Sequence, residues 1–204
     1  MTPDALAAEV IARASSRSRF TLAVAGPPGA GKSTLAKTLA GALAGRGSDT
    51  AIVPMDGFHL DNDELDRLGL RARKGAPETF DLAGFDALLA RLAQEDDVVI
   101  PVFDRTLDLA RAGAARVTAS ARIRIVEGNY LLLDEPGWRD LARHFDMTVF
   151  LEVPERELER RLVQRWLDHG HDAQAARARA QANDIPNARR VAAGSRPADL
   201  VLAG

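Results

Sequence analysis

Between the apolar run Phe20-Thr21-Leu22-Ala23-Val24-Ala25 and a stretch in which Leu35, Leu39 and Leu43 recur at helical spacing lies Gly26-Pro27-Pro28-Gly29-Ala30-Gly31-Lys32-Ser33-Thr34. This is the pattern G-x-x-x-x-G-K-[ST] in its required setting of strand, glycine-rich turn and helix. Glycines let the backbone wrap closely around phosphate oxygens, and the helix start supplies unpaired N–H groups with positive dipole character. Lys32 then reaches the β- and γ-phosphates as a point charge, and the Ser33 hydroxyl takes a place on Mg²⁺, with Thr34 beside it. The motif therefore fixes a nucleoside triphosphate, with ATP and Mg²⁺ as the expected cofactors, held by residues 26–34.

The rest of the chain repeats the same alternation. Residues 4–14 read as a short amphipathic helix, and 82–92 as another; Ala51–Met55, Val98–Ile100, Ile123–Val126, Met147–Leu151 and Leu200–Leu202 read as strands. Strands separated by helices imply parallel pairing through right-handed crossovers with helices on both faces. The expected fold is α/β: a three-layer sandwich around a mostly parallel sheet, as one domain over residues 1–204. With 46% hydrophobic residues, 204 residues can bury one sizeable core. Ligands of such sheets lie beyond the carboxyl ends of the strands. The segment 56–81 has weak periodicity and reads as an excursion on the substrate side.

The absence of cysteine excludes disulfides, thiolate metal sites and cysteine nucleophiles, and suits the cytoplasm. No apolar run reaches the roughly 20 residues of a membrane span, and no export signal opens the chain. A formal charge of −2 argues against broad nucleic-acid binding. The expected partner is a small molecule bearing a hydroxyl group; a homodimer is compatible with all of this.

Phosphoryl transfer needs a carboxylate that orients or deprotonates the acceptor. Asp56, directly after a strand and before Gly57, is the candidate; a turn aspartate capping Gly57 is the plain alternative. Glu127 ends the strand Ile123–Val126, where a carboxylate can hold Mg²⁺ or its water shell. Past the last long strand, Glu155 to His169 reads as a helix with Leu158, Leu162 and Trp166 on one stripe, placing Arg161 and Arg165 together on a neighbouring face. A second helix over about 172–182, with Arg177 and Arg179, would complete a lid over 155–182 that brings arginines to the transferring phosphate. A solvated arginine face is the ordinary alternative. For the acceptor, His59, Arg73, Lys74, Glu78, Arg105, Asn129 and Tyr130 are the polar groups expected at the cleft, and Asn187 is placed near the adenine.

Taken together, the loop at 26–34, Met-Asp-Gly-Phe-His at 55–59, Arg-Lys-Gly-Ala-Pro-Glu-Thr-Phe-Asp at 73–81, Pro-Val-Phe-Asp-Arg at 101–105 and Glu-Gly-Asn-Tyr at 127–130 resemble the uridine kinase, bacterial pantothenate kinase and phosphoribulokinase superfamily. The resemblance spans nearly the whole chain. It is nearest to the bacterial branch described as fructose transport system kinases or fructokinase-like kinases, which also carries Asn183-Asp184-Ile185-Pro186-Asn187-Ala188. It implies Asp56 as catalytic carboxylate, Lys32 and Ser33 on ATP and Mg²⁺, Glu127 near the metal, and lid arginines after Glu155. Where uridine kinases have Tyr-Asp and then a nucleoside-binding histidine, this chain has Phe103-Asp104-Arg105, which lowers a nucleoside assignment.

Two rivals come from other classes. Asp134-Glu135-Pro136-Gly137 matches the D-x-x-G of a GTPase, but the base-reading Asn-Lys-x-Asp is missing and Glu127 already holds the strand end that should meet Mg²⁺. A regulator that binds nucleotide without catalysis would need Lys32 but not Asp56.

Overall fold

The computed structural model describes residues 1–204. Helix α1 (Pro3–Ala14) precedes strand β1 (Phe20–Ala25), which runs through the glycine loop into α2 (Lys32–Ala44). Next come β2 (Thr50–Pro54), a 3-10 turn at Met55–Phe58, α3 (Asn62–Arg67) and α4 (Leu82–Gln94). Strands β3 (Asp97–Asp104) and β4 (Leu109–Thr118) are followed by β5 (Ile123–Gly128) and β6 (Met147–Glu152). The chain ends with α5 (Glu155–Asp168), α6 (Ala173–Arg179), a π turn at Ala180–Asp184, α7 (Ile185–Gly194) and β7 (Leu200–Ala203).

Five strands form a parallel sheet in the order β2-β5-β1-β6-β7. Alternation along β1 explains the three layers. Phe20, Leu22 and Val24 face a core built with Leu6 and Val10 of α1 and Leu39 and Leu43 of α2. Ala23 and Ala25 face the opposite core, with Phe85, Leu88 and Leu92 of α4 and Val191 of α7. β5 is buried along its whole length, as a central parallel strand covered on both faces should be. A smaller core of Leu158 and Leu162 with Ala180, Ile185 and Ala188 seats the helices after β6.

One expectation needs correcting. Val98–Ile100 does not join the parallel sheet: β3 pairs antiparallel with β4 in a separate hairpin. The pairing register shifts between Ile100 and Val102, at Pro101, as expected of a residue that cannot donate to a ladder. β4 has no readable strand signal, because Leu-Ala-Arg-Ala-Gly-Ala-Ala-Arg-Val-Thr carries little apolar alternation and is largely exposed. The lid also differs in detail. α6 stops at Arg179, and the chain passes through the π turn straight into α7.

Candidate active site

The order β2-β5-β1 brings three carboxyl ends side by side. Val24 of β1 and Pro54 of β2 both pair with Glu127 of β5, so the chain leaves the sheet at Gly26, Met55 and Asn129 within one cleft. Gly26 has φ +149°, and a Cβ there would sit 2.8 Å from the Leu151 carbonyl oxygen; only glycine lets the loop turn this tightly past β6. The start of α2 has no side-chain cap, which leaves its first N–H groups for an anion.

Lys32 is 7% exposed and donates to the Pro27 carbonyl at 2.9 Å. Burial pushes its ammonium down to about 8, against the pull of Glu127 and Asp56. Ser33 Oγ donates to Glu127 Oε1 at 3.0 Å. Burial, followed by the charge of Asp56, raises the Glu127 carboxyl above its ordinary value. A hydroxyl beside one carboxylate at a phosphate loop suits Mg²⁺, which keeps several waters and takes one or two carboxylates plus substrate phosphates.

Asp56 lies in the 3-10 turn after β2, its side chain partly exposed. A Cβ on Gly57 would meet the Pro101 carbonyl oxygen at 2.5 Å, so this glycine lets β3 cross directly over the turn. That crossing brings Arg105, at the tip of the β3–β4 hairpin, to Asp56: Nη2 to Oδ2 is 3.0 Å. His59 Nδ1 donates to the Asp56 carbonyl at 2.8 Å, and its ring lies between Phe80 and Phe103. Burial lowers its basicity, so the ring is neutral near pH 7 and presents Nε2 as an acceptor. Ser33, Lys37, Ile52, Pro54, Asp56, Phe103, Arg105 and Glu127 line a cleft of about 220 Å³. A larger cavity of about 250 Å³, beside Phe20 and Ile123, lies at the opposite strand ends, remote from this chemistry.

The expected site residues divide into two groups. Lys32, Ser33, Asp56, His59, Arg105 and Glu127 converge, and Asn129 follows β5 directly. Arg161 Nη1 reaches the Gly29 and Ala30 carbonyls at 3.4 Å, and its Nε donates to Glu157; this places one lid arginine on the phosphate loop. Arg165 is bound to Asp184 at 2.9 Å, and its charge acts on Lys32. Arg177 and Arg179 are exposed, the latter stacked 4.5 Å above the Trp166 ring.

The other group is committed elsewhere. Lys74 donates to Asn62 Oδ1, the Asp108 carbonyl and Asp108 Oδ2, within 3.0 Å each; this clamp ties the hairpin tip to α3. Arg73 pairs with Glu78, which also meets Arg190. Tyr130, expected at the cleft mouth, is fully buried and donates to the Gly75 carbonyl: it braces the 56–81 excursion from behind. Asn187 is 3% exposed and donates to Asn183, whose amide donates to the Lys74 carbonyl. Of the D-x-x-G segment, Asp134 pairs with Arg139 and Glu135 with Arg190.

Two residues escaped sequence reading. Lys37, one turn after Ser33, lines the cleft wall; its i, i+4 spacing from Ser33 was the available signal. Asp184, 9% exposed, accepts from Arg165 and from the Trp166 indole at 2.6 Å. Before Ile185-Pro186 it resembles an ordinary helix cap, and nothing local marks it out.

Four known proteins and families are similar to this chain. The model of the "Phosphoribulokinase / Uridine kinase family" matches residues 21–191. "Uncharacterized protein YggC" of Escherichia coli strain K12 is 40% identical over 187 residues, 90% of this chain and 77% of that one. "Putative uridine kinase C227.14" of Schizosaccharomyces pombe is 37% identical over 194 residues, 90% of this chain and 83% of that one. A crystal structure described as a "putative fructose transport system kinase" from Silicibacter sp. TM1040 superimposes with a TM-score of 0.96 at 53% identity, covering 99% of both chains. The chain belongs to the phosphoribulokinase / uridine kinase family of P-loop kinases.

Proposed function

We propose that this protein is an ATP-dependent phosphotransferase acting on a hydroxyl of a small polar metabolite, with a fructose-like sugar as the first acceptor class. A nucleoside or pantothenate-type alcohol is the second. The observation that carries the reading is one cleft holding the buried P-loop lysine, the Ser33–Glu127 pair and a carboxylate, Asp56, whose side chain meets Arg105. The sugar class is supported by the name of the Silicibacter relative; the nucleoside class by that of the Schizosaccharomyces pombe relative.

In this reading the loop amides and Lys32 hold the β- and γ-phosphates, and Ser33 and Glu127 hold Mg²⁺. The metal, when bound, neutralises charge on the phosphates. Asp56 accepts the proton of the acceptor hydroxyl as its oxygen bonds to the γ-phosphorus. The bond from that phosphorus to the β–γ bridging oxygen breaks, and ADP leaves. Arg161, already on the loop, and Arg165, steadied by Asp184, stabilise charge on the transferring group as residues 155–182 close. The whole chain works as one unit, in the cytoplasm where ATP is supplied.

The test is ADP release from Mg-ATP across fructose, other sugars, uridine, cytidine and pantothenate, with Asp56→Asn as control. Acceptor-dependent release that vanishes in the variant is expected. ATP binding without acceptor-dependent release would turn the reading toward a nucleotide-binding regulator.

A further inference from the structure

The cavity at the amino ends of the strands has no part in phosphoryl transfer, and its walls carry chemistry of their own. About 250 Å³ lie between the end of α1, the turn after α2 and the starts of β1 and β5. The floor is apolar: Ile11 and Ala14 of α1, with Phe20 and Ile123 as the first residues of β1 and β5. All four pack into the core on that side of the sheet and line the cavity as well.

Two opposite charges line this cavity and do not meet. Arg122, just before β5, is held by one hydrogen bond, from Nη2 to the Arg17 carbonyl at 2.7 Å, and pairs with no carboxylate of the chain. That bond orients the guanidinium and leaves Nε and Nη1 to donate elsewhere. Arg17 is already neutralised: its Nη1 meets Asp146 Oδ1 at 2.6 Å, and Asp146 Oδ2 accepts from the Thr21 amide at 2.8 Å. Asp49, after α2, accepts no hydrogen bond and pairs with no cation of the chain, and the Ser48 hydroxyl beside it is also without a partner. A plain anion here would gain Arg122 but face Asp49, and a plain cation would meet the reverse. An uncharged apolar molecule would cover the floor and desolvate both charges unpaired, which is costly. A zwitterion satisfies all three surfaces. Its carboxylate takes the Arg122 fork, its ammonium takes Asp49 and Ser48 Oγ, and its apolar body covers the floor. The volume equals that of about eight waters at about 30 Å³ each, which limits the ligand to about ten non-hydrogen atoms.

We propose that this cavity is a second ligand site, for a small zwitterion whose carboxylate and ammonium are carried on an aliphatic body, as in an apolar amino acid. Arg122 and Asp49 are the residues that select it. The site is independent of the nucleotide cleft, and the proposal stands or falls apart from the kinase reading.

The test is titration calorimetry on the full chain with two zwitterions, L-leucine and 6-aminohexanoate, which hold their charges close together and far apart. Each is set against singly charged relatives: 4-methylpentanoate and 3-methylbutylamine for the first, hexanoate and pentylamine for the second. The expected result is one site per chain for at least one zwitterion, with binding about tenfold or more tighter than either of its relatives, as one charged hydrogen bond supplies. Arg122→Gln should bring that zwitterion to within about threefold of its amine, and Asp49→Asn to within about threefold of its acid. Both positions are exposed, so the variants should fold as wild type does. Their affinity for a non-hydrolysable Mg-ATP analogue should be unchanged, which places the loss at the cavity. No saturable binding of either zwitterion up to about 10 mM would overturn the proposal. So would equal binding of a zwitterion and its singly charged relatives, or binding that survives both substitutions.

Discussion

Replacing Lys32 with methionine keeps the buried stem and removes the charge, and the structure gives the size of the effect. Burial lowers the ammonium from 10.5 to about 8, and at about 1.4 kcal/mol per pH unit this penalises the charged form by about 3 kcal/mol in the folded state. The folded pKa lies below the unfolded one, so between about pH 8 and 10.5 the unfolded chain binds more protons and wild-type stability rises with pH. The methionine variant lacks that rise. Below pH 8 it gains relief from the buried charge but loses the 2.9 Å bond to the Pro27 carbonyl, worth about 1.5–3 kcal/mol for a charged donor. The variant is therefore expected to equal or exceed wild type at pH 7, by up to about 2 kcal/mol, with Tm higher by roughly 2–4 °C per kcal/mol. Its advantage should shrink by about 3 kcal/mol on going to pH 10.5. Urea unfolding of both proteins at pH 7, 8.5 and 10.5 measures this directly, and ATP affinity should fall steeply in the variant. Parallel stability profiles across that range would refute the claim that burial disfavours the charged form of Lys32.

Because burial and Asp56 raise the Glu127 carboxyl, Mg-ATP use should decline as pH falls through a value above the ordinary range for glutamate. Glu127→Gln should remove that acid limb and weaken Mg²⁺-dependent nucleotide binding by about 10-fold or more, read by pH-dependent titration. Asp184→Ala releases both Arg165 and the Trp166 indole and should cost about 2 kcal/mol, a Tm fall of roughly 4–8 °C, with a shift in tryptophan fluorescence; an unchanged Tm would show that the pair is not structural. Arg124 of β5 is 1% exposed, with Nε and Nη1 lacking partners in the chain. Arg124→Met should raise stability by about 1–3 kcal/mol, and a lower Tm in that variant would contradict this.

The sequence made the phosphate loop, Asp56 and Glu127 legible for one reason: each follows a strongly apolar strand directly, so strand ends and chemistry coincide. Arg105 was legible as a cleft residue, but its contact with Asp56 depends on β3 crossing Gly57, a hairpin whose second strand has no readable alternation. Tyr130 looked like a substrate contact because polar groups after a strand usually reach solvent, and Lys74 because lysine is rare in this chain. Here Tyr130 is spent on the Gly75 carbonyl of the 56–81 excursion, and Lys74 on Asn62 and on Asp108 of the hairpin tip. Asp184 illustrates a harder limit, since its two donors come from α5, 18 and 19 residues away, a pairing that no local pattern encodes.

The central claim is transfer to an acceptor hydroxyl through Asp56. The most direct measurement follows γ-³²P-labelled ATP with an acceptor that supports ADP release, comparing wild type with Asp56→Asn at matched ATP occupancy. The account predicts label on the acceptor with wild type and a rate lower by about 10²–10⁴ in the variant at unchanged ATP affinity. Label appearing only as inorganic phosphate, or near-normal transfer by Asp56→Asn, would contradict it.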